Sequence, residues 1–131
     1  IYNDKFHNQY ERCLEELQKQ PTSRRACMIY NRPSIWKEYN EDGKNDFICT
    51  NAVSYVIRDG LIHATVQMRS NDAIFGYKND RAWQLTILER LATDLKCKTG
   101  RIIWQGQNLH IYERHFNLCK KKSWLCYYRY S

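Results

Sequence analysis

The sequence has no C-x-x-C pair, no apolar run near the length of a membrane span, no internal repeat and no linker or low-complexity segment. Each absence closes off a class of answer. Without C-x-x-C, the six cysteines at positions 13, 27, 49, 97, 119 and 126 do not read as a zinc ribbon or a thioredoxin-like motif. Without a long apolar run there is no candidate membrane span, and the opening "IYNDKFHNQYERC" lacks the apolar segment of a signal peptide. The expectation is a soluble, cytoplasmic protein with reduced thiols, most of them packed and inert. Without a linker nothing marks an internal boundary, and 131 residues suit a single core.

What is present is apolar and patterned. At 43% hydrophobic and 14% aromatic the chain is no disordered segment. Its formal charge of +7 fits a nucleic-acid partner, because clustered Lys and Arg neutralise phosphates. The same charge fits a small phosphorylated ligand gripped by a few arginines. The basic residues are scattered apart from "KKK" at 120–122, so charge alone favours neither.

Periodicity supplies the elements. "HNQYERCLEELQKQ" sets Tyr10, Cys13, Leu14 and Leu17 at helical spacing, with Pro21 as a stop. "RACMIYNR" is a short apolar run fit for a buried strand, and "NEDGKND" is a polar turn. "ICTNAVSYVIR" and "LIHATVQMR" flank Asp59-Gly60, a strong two-residue hairpin turn. Residues 80–95 form an amphipathic helix with Leu85, Leu88, Leu91 and Leu95 near one face and Gly100 as its stop. "RIIWQGQNLHIY" reads as a strand, a turn or bulge and a second extended stretch, and "ERHFNLCKKK" as a further helix. Strands interleaved with helices and joined by a hairpin imply an α/β (α+β) domain with a mixed sheet and flanking helices.

The hairpin turns Cys49 into a question. In a two-residue hairpin Arg58 pairs with Leu61, and the register carried back sets Thr50 across from Arg69 and Cys49 across from Ser70. A bulge would shift this by one residue and keep Arg69 nearby. The burial habits of cysteine favour an inert thiol, whereas a guanidinium across the strand pair favours the thiolate form of a nucleophile. The two readings stand level. Elsewhere, Arg24-Arg25 reads either as a solvated pair or as a phosphate clamp. His110 and Tyr112 share one side of an extended stretch and are able to donate to a hydroxyl. Asp80 opens the expected helix, where a plain N-cap is the first reading.

"SRR" at 23–25, Cys49, "RSNDAIFG" from Arg69 and "NLHIY" with His110 and Tyr112, in that order and at these spacings, resemble the thymidylate synthase superfamily from about residue 8 to about residue 118. "MIYNRPS", "CTNAVSYVIRD", "MRSNDAIFGYKNDRAWQ" and "IYERHF" resemble its deoxycytidylate-hydroxymethylating branch, known from T-even-type phages. Ile48 stands where the family keeps a proline before its nucleophile. Eleven residues after the arginine, where thymidylate synthases carry Asn, this chain has Asp80, with Asn79 beside it. An amide matches the N3–H and O4 of uracil, whereas a carboxyl group accepts from N4 of cytosine and shares a proton with N3.

The resemblance implies a thymidylate synthase-like fold and a one-carbon transferase. Its expected reaction transfers a hydroxymethyl group from 5,10-methylenetetrahydrofolate to C5 of dCMP through a covalent adduct of Cys49 at C6. Methylation of dUMP is the alternative. The implied site has Cys49 as nucleophile and Asp80 as selector. Arg69 and Ser70 hold the phosphate together with Arg24 and Arg25 from a partner subunit, His110 and Tyr112 hold the ribose, and Asp72 contacts the pterin. No metal, no membrane and no nucleic acid is implied, and the expected assembly is a homodimer. The family's catalytic glutamate belongs to an N-terminal region this sequence does not contain. Residues 1–118 therefore read as the central and C-terminal part of the catalytic domain, 119–131 as a divergent basic-aromatic tail, and the chain alone as inactive. The rival reading is a non-catalytic remnant or a basic nucleic-acid-binding module built on "KKKSWLCYYRY". Convergence of Cys49, Arg69, Asp80 and His110 on one place would favour the transferase; scatter would favour the rival.

Overall fold

A computed structural model of the protein describes residues 8–43 and 47–121. The expectations placed on the "KKKSWLCYYRY" tail beyond Lys121, on Cys126 and on the chain's first seven residues lie outside them.

Helix α1 (Gln9–Lys19) starts where the Asn8 side chain accepts from the Glu11 N–H, and it ends just before Pro21. It buries Cys13 and Leu17, the inward pair of the predicted stripe. Strand β1 (Cys27–Ile29) is shorter than its apolar run and lies antiparallel to β2 (Thr50–Arg58), which pairs antiparallel with β3 (Leu61–Met68). Between β2 and β3, Asp59 and Gly60 both take positive φ, 51° and 73°, the backbone a type I′ turn requires. Short helix α2 (Ile35–Glu38), which no periodicity announced, buries Ile35 between β1 and β2 in sequence.

The hairpin register holds from Arg58↔Leu61 back to Ala52↔Gln67 and then slips, so that Thr50 pairs with Met68. The extra residue is Asn51, whose carbonyl accepts from the N–H groups of both Tyr30 and Asn31 on the β1 side. The bulge moves Arg69 opposite Cys49: the Arg69 N–H donates to the Cys49 carbonyl at 2.9 Å. The unbulged pairing of Cys49 with Ser70 and Thr50 with Arg69 is thereby corrected by one residue.

Chain β3 continues into β4 (Asn71–Asp72) and then α3 (Gly76–Asp94). The helix begins four residues before Asp80, because the Asp72 carboxylate accepts from the N–H groups of Ile74, Phe75 and Gly76 at 3.1, 3.3 and 3.4 Å. It thereby satisfies N–H groups at the helix start that would otherwise lack partners. Asp80 is not an N-cap; it sits in the second turn. Strand β5 (Lys98–Gly106) then runs parallel to β3, giving a mixed sheet of order β1-β2-β3-β5. Gly100 is therefore no helix stop. It lies in β5, where a Cβ would come within 2.6 Å of the Ile62 carbonyl oxygen and the His63 ring. The helix ends earlier, at a Leu95 cap followed by Lys96 with φ 54°. Gly100→Ala should lower the unfolding free energy by about 1–3 kcal/mol, read from the denaturant midpoint; an unchanged midpoint would contradict this close approach.

Leu88, Leu91 and Ala92 of α3 and Cys13 and Leu17 of α1 pack on Val53, Tyr55, Ile62, Ala64, Val66 and Met68. The two-residue period puts those strand residues on one face of the sheet. On the other face Ile29 and Ile103 are 60% and 53% exposed. β6 (Leu109–His110) pairs parallel with β4, and α4 (Phe116–Lys121) follows a 3-10 turn. Among the described residues no helix is long and apolar enough to cross a membrane.

Candidate active site

The end of β3 gathers the chemistry. Arg69 follows its last residue, and the bulged hairpin turns the guanidinium onto the segment that carries Cys49. Its Nε donates to the Ile48 carbonyl at 3.0 Å, and its Nη2 donates to the Phe47 carbonyl. The same Nη2 lies 3.7 Å from the Cys49 sulfur. The guanidinium also stacks over the Phe47 ring at 4.8 Å, and Phe47 is wedged edge-on against Trp36 of α2 and tilted against Tyr39. Arg69 thus fixes the approach to β2 and sets its charge beside the thiol. Its Nη1 has no hydrogen-bond partner among the described residues.

Among the described cysteines Cys49 is the exposed one. Cys13 is buried, and that burial, followed by the neighbouring Cys27, pushes its thiol up to about 12. Burial pushes the Cys97 thiol up as well. Both are poor nucleophiles near neutral pH.

Three residues after Cys49's partner strand ends, Asn71 reaches α3: its Nδ2 donates to Asp80 Oδ2 at 3.1 Å. Trp104 on β5 donates from Nε1 to the other end of the same amide, Asn71 Oδ1, at 3.1 Å. Asn71 is 2% exposed. Burial raises the Asp80 pKa above the ordinary carboxylate range, and the Asn71 hydrogen bond partly opposes that shift. Asn79 is exposed, so Asp80 is the one of the neighbouring pair that faces the segment 69–72. Gly76 lies close beside this contact: a Cβ there would crowd Asp72 Cβ at 3.2 Å and sit in ordinary contact with Asn71 Nδ2 and Asp80 Oδ2, at 3.7 and 3.9 Å.

Asp72 pairs with His110 across β4 and β6, and the Ala73 N–H donates to the His110 carbonyl at 2.9 Å. Its three backbone N–H partners, Ile74 foremost, lower its pKa and hold it ionised. The His110 and Tyr112 rings meet edge-on at 4.9 Å, on one side as their spacing predicts. Ser70 is half-buried between Arg69 and Asn71. Cys49, Arg69, Ser70, Asp72, Asp80, His110 and Tyr112 are therefore linked through one stretch, residues 69–72. Phe47 touches Arg69, Asn71 touches Asp80 and Trp104 touches Asn71, and none of the three was among the candidates, although Asn71 lay inside the quoted "RSNDAIFG" and Trp104 inside the quoted "RIIWQGQNLHIY".

Arg24 and Arg25 stand elsewhere. The Tyr55 N–H donates to the Ala26 carbonyl, which puts the pair beside the hairpin end of β2. Cys49 precedes Tyr55 by six residues, roughly 20 Å along a strand at about 3.3 Å per residue. Arg25 pairs with Glu16 at 2.9 Å, and the Ser23 hydroxyl also donates to that carboxylate. Arg24 is exposed and has no polar contact among the described residues.

The chain is similar to known proteins in sequence and in fold. The family described as "Thymidylate synthase" matches residues 2–123. Deoxycytidylate 5-hydroxymethyltransferase of Enterobacteria phage T4 is 50% identical over 125 residues, covering 90% of this chain and 51% of that protein. A putative thymidylate synthase of Methanocaldococcus jannaschii is 32% identical, covering 92% of this chain and 54% of its own. In three dimensions the chain is similar to thermostable thymidylate synthase A from Bacillus subtilis, with a TM-score of 0.74 at 24% identity over 87% of this chain and 39% of that one. The chain spans about half the length of the curated relatives it matches.

Proposed function

Because the chain belongs to the thymidylate synthase family, whose members are one-carbon transferases, we propose that the protein carrying it transfers a hydroxymethyl group to C5 of dCMP. The observation that carries this reading is Asp80: a carboxyl group, partly buried, in contact with the segment that also sets Arg69 against Cys49. A relative identical at half of the 125 aligned residues is named for that transfer.

The Cys49 thiolate adds to C6 of the pyrimidine, and the electron pair of the C5–C6 bond moves to make C5 nucleophilic. 5,10-Methylenetetrahydrofolate would supply the one-carbon unit at C5. Loss of the C5 proton then expels tetrahydrofolate from that carbon and leaves an exocyclic methylene on the base; water adds to the methylene to give the hydroxymethyl group, and Cys49 leaves as a thiolate when the C5–C6 double bond returns. Asp72 fits the pterin: held ionised by backbone N–H groups, it keeps lone pairs for an N–H edge. Arg69 and Ser70 bind the phosphate, His110 and Tyr112 the ribose. For a T-even-like phage the reaction takes place in the host cytoplasm.

Arg24 and Arg25 complete the phosphate site of a second copy of the chain. They lie too far along β2 to serve Cys49 of their own chain, and the sheet face bearing Ile29 and Ile103 is open for a partner. Mixed Cys49→Ala and Arg24→Ala/Arg25→Ala forms of the full-length protein, each inactive, should regain about one quarter of wild-type activity, since half of randomly paired dimers hold one intact site. No recovery on mixing would remove the arginines from the partner's site. The reading as a whole is tested by comparing nucleotides: the full-length protein should process dCMP with a higher kcat/KM than dUMP, and the opposite order would sink it.

A further inference from the structure

Two arginines that serve a neighbouring subunit need a rigid mount on their own. Arg24 and Arg25 lie between α1 and β1, and both side chains are exposed. Guanidinium groups on a free loop lose backbone and side-chain entropy when they meet a phosphate. What the segment is tied to therefore sets how well it binds.

The mount is Glu16. Its Oε1 accepts from the Ser23 hydroxyl at 2.5 Å and from Arg25 Nε at 2.9 Å. A hydroxyl that gives its hydrogen to the carboxylate keeps lone pairs for another donor, and Ser23 Oγ accepts from the Arg25 N–H at 3.1 Å. Glu16, Ser23 and Arg25 thus close a ring of three hydrogen bonds. Arg25 is 75% exposed, and an exposed ion pair alone contributes little. Ser23 is 4% exposed, which shields the rest of the ring from competing water. Both partners, Ser23 first, hold the Glu16 carboxyl below the usual carboxylate range.

The support behind the ring is itself fixed. Burial of Cys13 and Leu17 anchors α1. The Gln9 amide ties the start of that helix to β1, donating to the Ile29 carbonyl at 2.7 Å and accepting from the Ile29 N–H at 2.6 Å. Beyond the arginines, the Ala26 carbonyl accepts from the Tyr55 N–H at 2.9 Å. The segment 23–25 is held to α1 at one end and to β2 at the other. Glu16 occupies Arg25 Nε and leaves the Nη atoms, whereas Arg24 keeps its whole guanidinium.

Resting on the reading that Arg24 and Arg25 serve a partner's phosphate site, we propose that Glu16 is a positioning residue for that site. Through Ser23 and Arg25 it presents both arginines to the nucleotide of the other subunit.

The test places Glu16→Ala in one subunit at a time, in mixed dimers of the full-length protein that turn over dCMP labelled with tritium at C5. Mixing Cys49→Ala with Arg24→Ala/Arg25→Ala leaves one working site, built from Cys49 of the second form and the arginines of the first. Glu16→Ala added to the Cys49→Ala form lies beneath the working arginines. It should raise KM for dCMP about tenfold with kcat within about twofold, the worth of one hydrogen bond near a charge. Added to the Arg24→Ala/Arg25→Ala form it serves only the dead site, and KM should stay at that of the parent mixture. Glu16→Gln keeps the accepting oxygen and loses the charge, so in the first placement it should raise KM about threefold. Where Glu16→Ala does not fold, Glu16→Gln decides. Equal changes in both placements mean a merely structural role and overturn the proposal, as does an unmoved KM in both. An active parent mixture that ignores Glu16 removes the mount alone; an inactive parent mixture removes the partner arginines and the mount together.

Discussion

Replacing Cys49 by Ala in the full-length protein should lower kcat by at least about a thousandfold while leaving dCMP affinity within a few-fold of wild type. The loss is large because the thiolate forms the bond that activates C5, and no other side chain replaces it. Binding survives because the groups proposed to hold the nucleotide are Arg69, Ser70, His110 and Tyr112. The neighbouring Arg69 keeps its bonds to the Phe47 and Ile48 carbonyls without the sulfur. Steady-state kinetics with equilibrium titration separates the two quantities. Equal losses in kcat and affinity would point to a collapsed loop, and an active variant would end the nucleophilic reading.

The second large effect belongs to Asp80→Asn, which should invert the nucleotide preference and change the dCMP-to-dUMP ratio of kcat/KM by at least about a hundredfold. A site built around hydrogen bonds rejects a ligand that leaves buried polar groups unpaired far more strongly than one that differs in size. An amide at position 80 still accepts from Asn71 Nδ2, and its NH2 meets O4 of uracil while clashing with the N4 amino group of cytosine. The substitution also has a stability signature. Because burial raises the pKa of Asp80 in the fold, the native state binds more protons than the unfolded chain between the unfolded and folded values. Wild-type stability therefore falls as pH rises through that window and stays lower above it. Asp80→Asn should lack this decline and unfold at a higher temperature at neutral pH. Thermal melts across pH 3–7 read the difference; parallel profiles would contradict a carboxyl group whose pKa is raised by partial burial.

What was legible in the sequence follows from the range of the forces involved. Asp59-Gly60 fixed the hairpin and seven of its pairs, since turn chemistry and two-residue alternation are local. The bulge at Asn51 was not legible, because it depends on Tyr30 and Asn31 arriving from β1. The start of α3 was misplaced at Asp80 because the carboxylate that caps it, Asp72, lies in a segment to which periodicity assigned no element and which pairs as strand only with β6. Gly100 looked like a stop because its closeness to Ile62 exists only once β5 lies parallel to β3. The cluster of Cys49, Arg69, Asp80 and His110 came from the hairpin and from family resemblance together. Trp104, thirty-three residues from Asn71, carries no sequence signal for that contact, and Phe47 reads as a plain apolar residue before a strand.

The central claim, that Cys49 is the reactive thiol of a nucleotide site, is tested most directly by limited alkylation of the full-length protein near neutral pH followed by peptide mapping. Cys49 should be labelled first, ahead of Cys13, Cys27 and Cys97, because it is exposed while those thiols are wholly or partly covered. Saturating dCMP should slow that labelling by tenfold or more, an order-of-magnitude expectation for a base seated over the sulfur, and dUMP should protect less at equal concentration. Labelling of Cys49 at the same rate with and without dCMP, under conditions where the nucleotide is bound, would contradict the account.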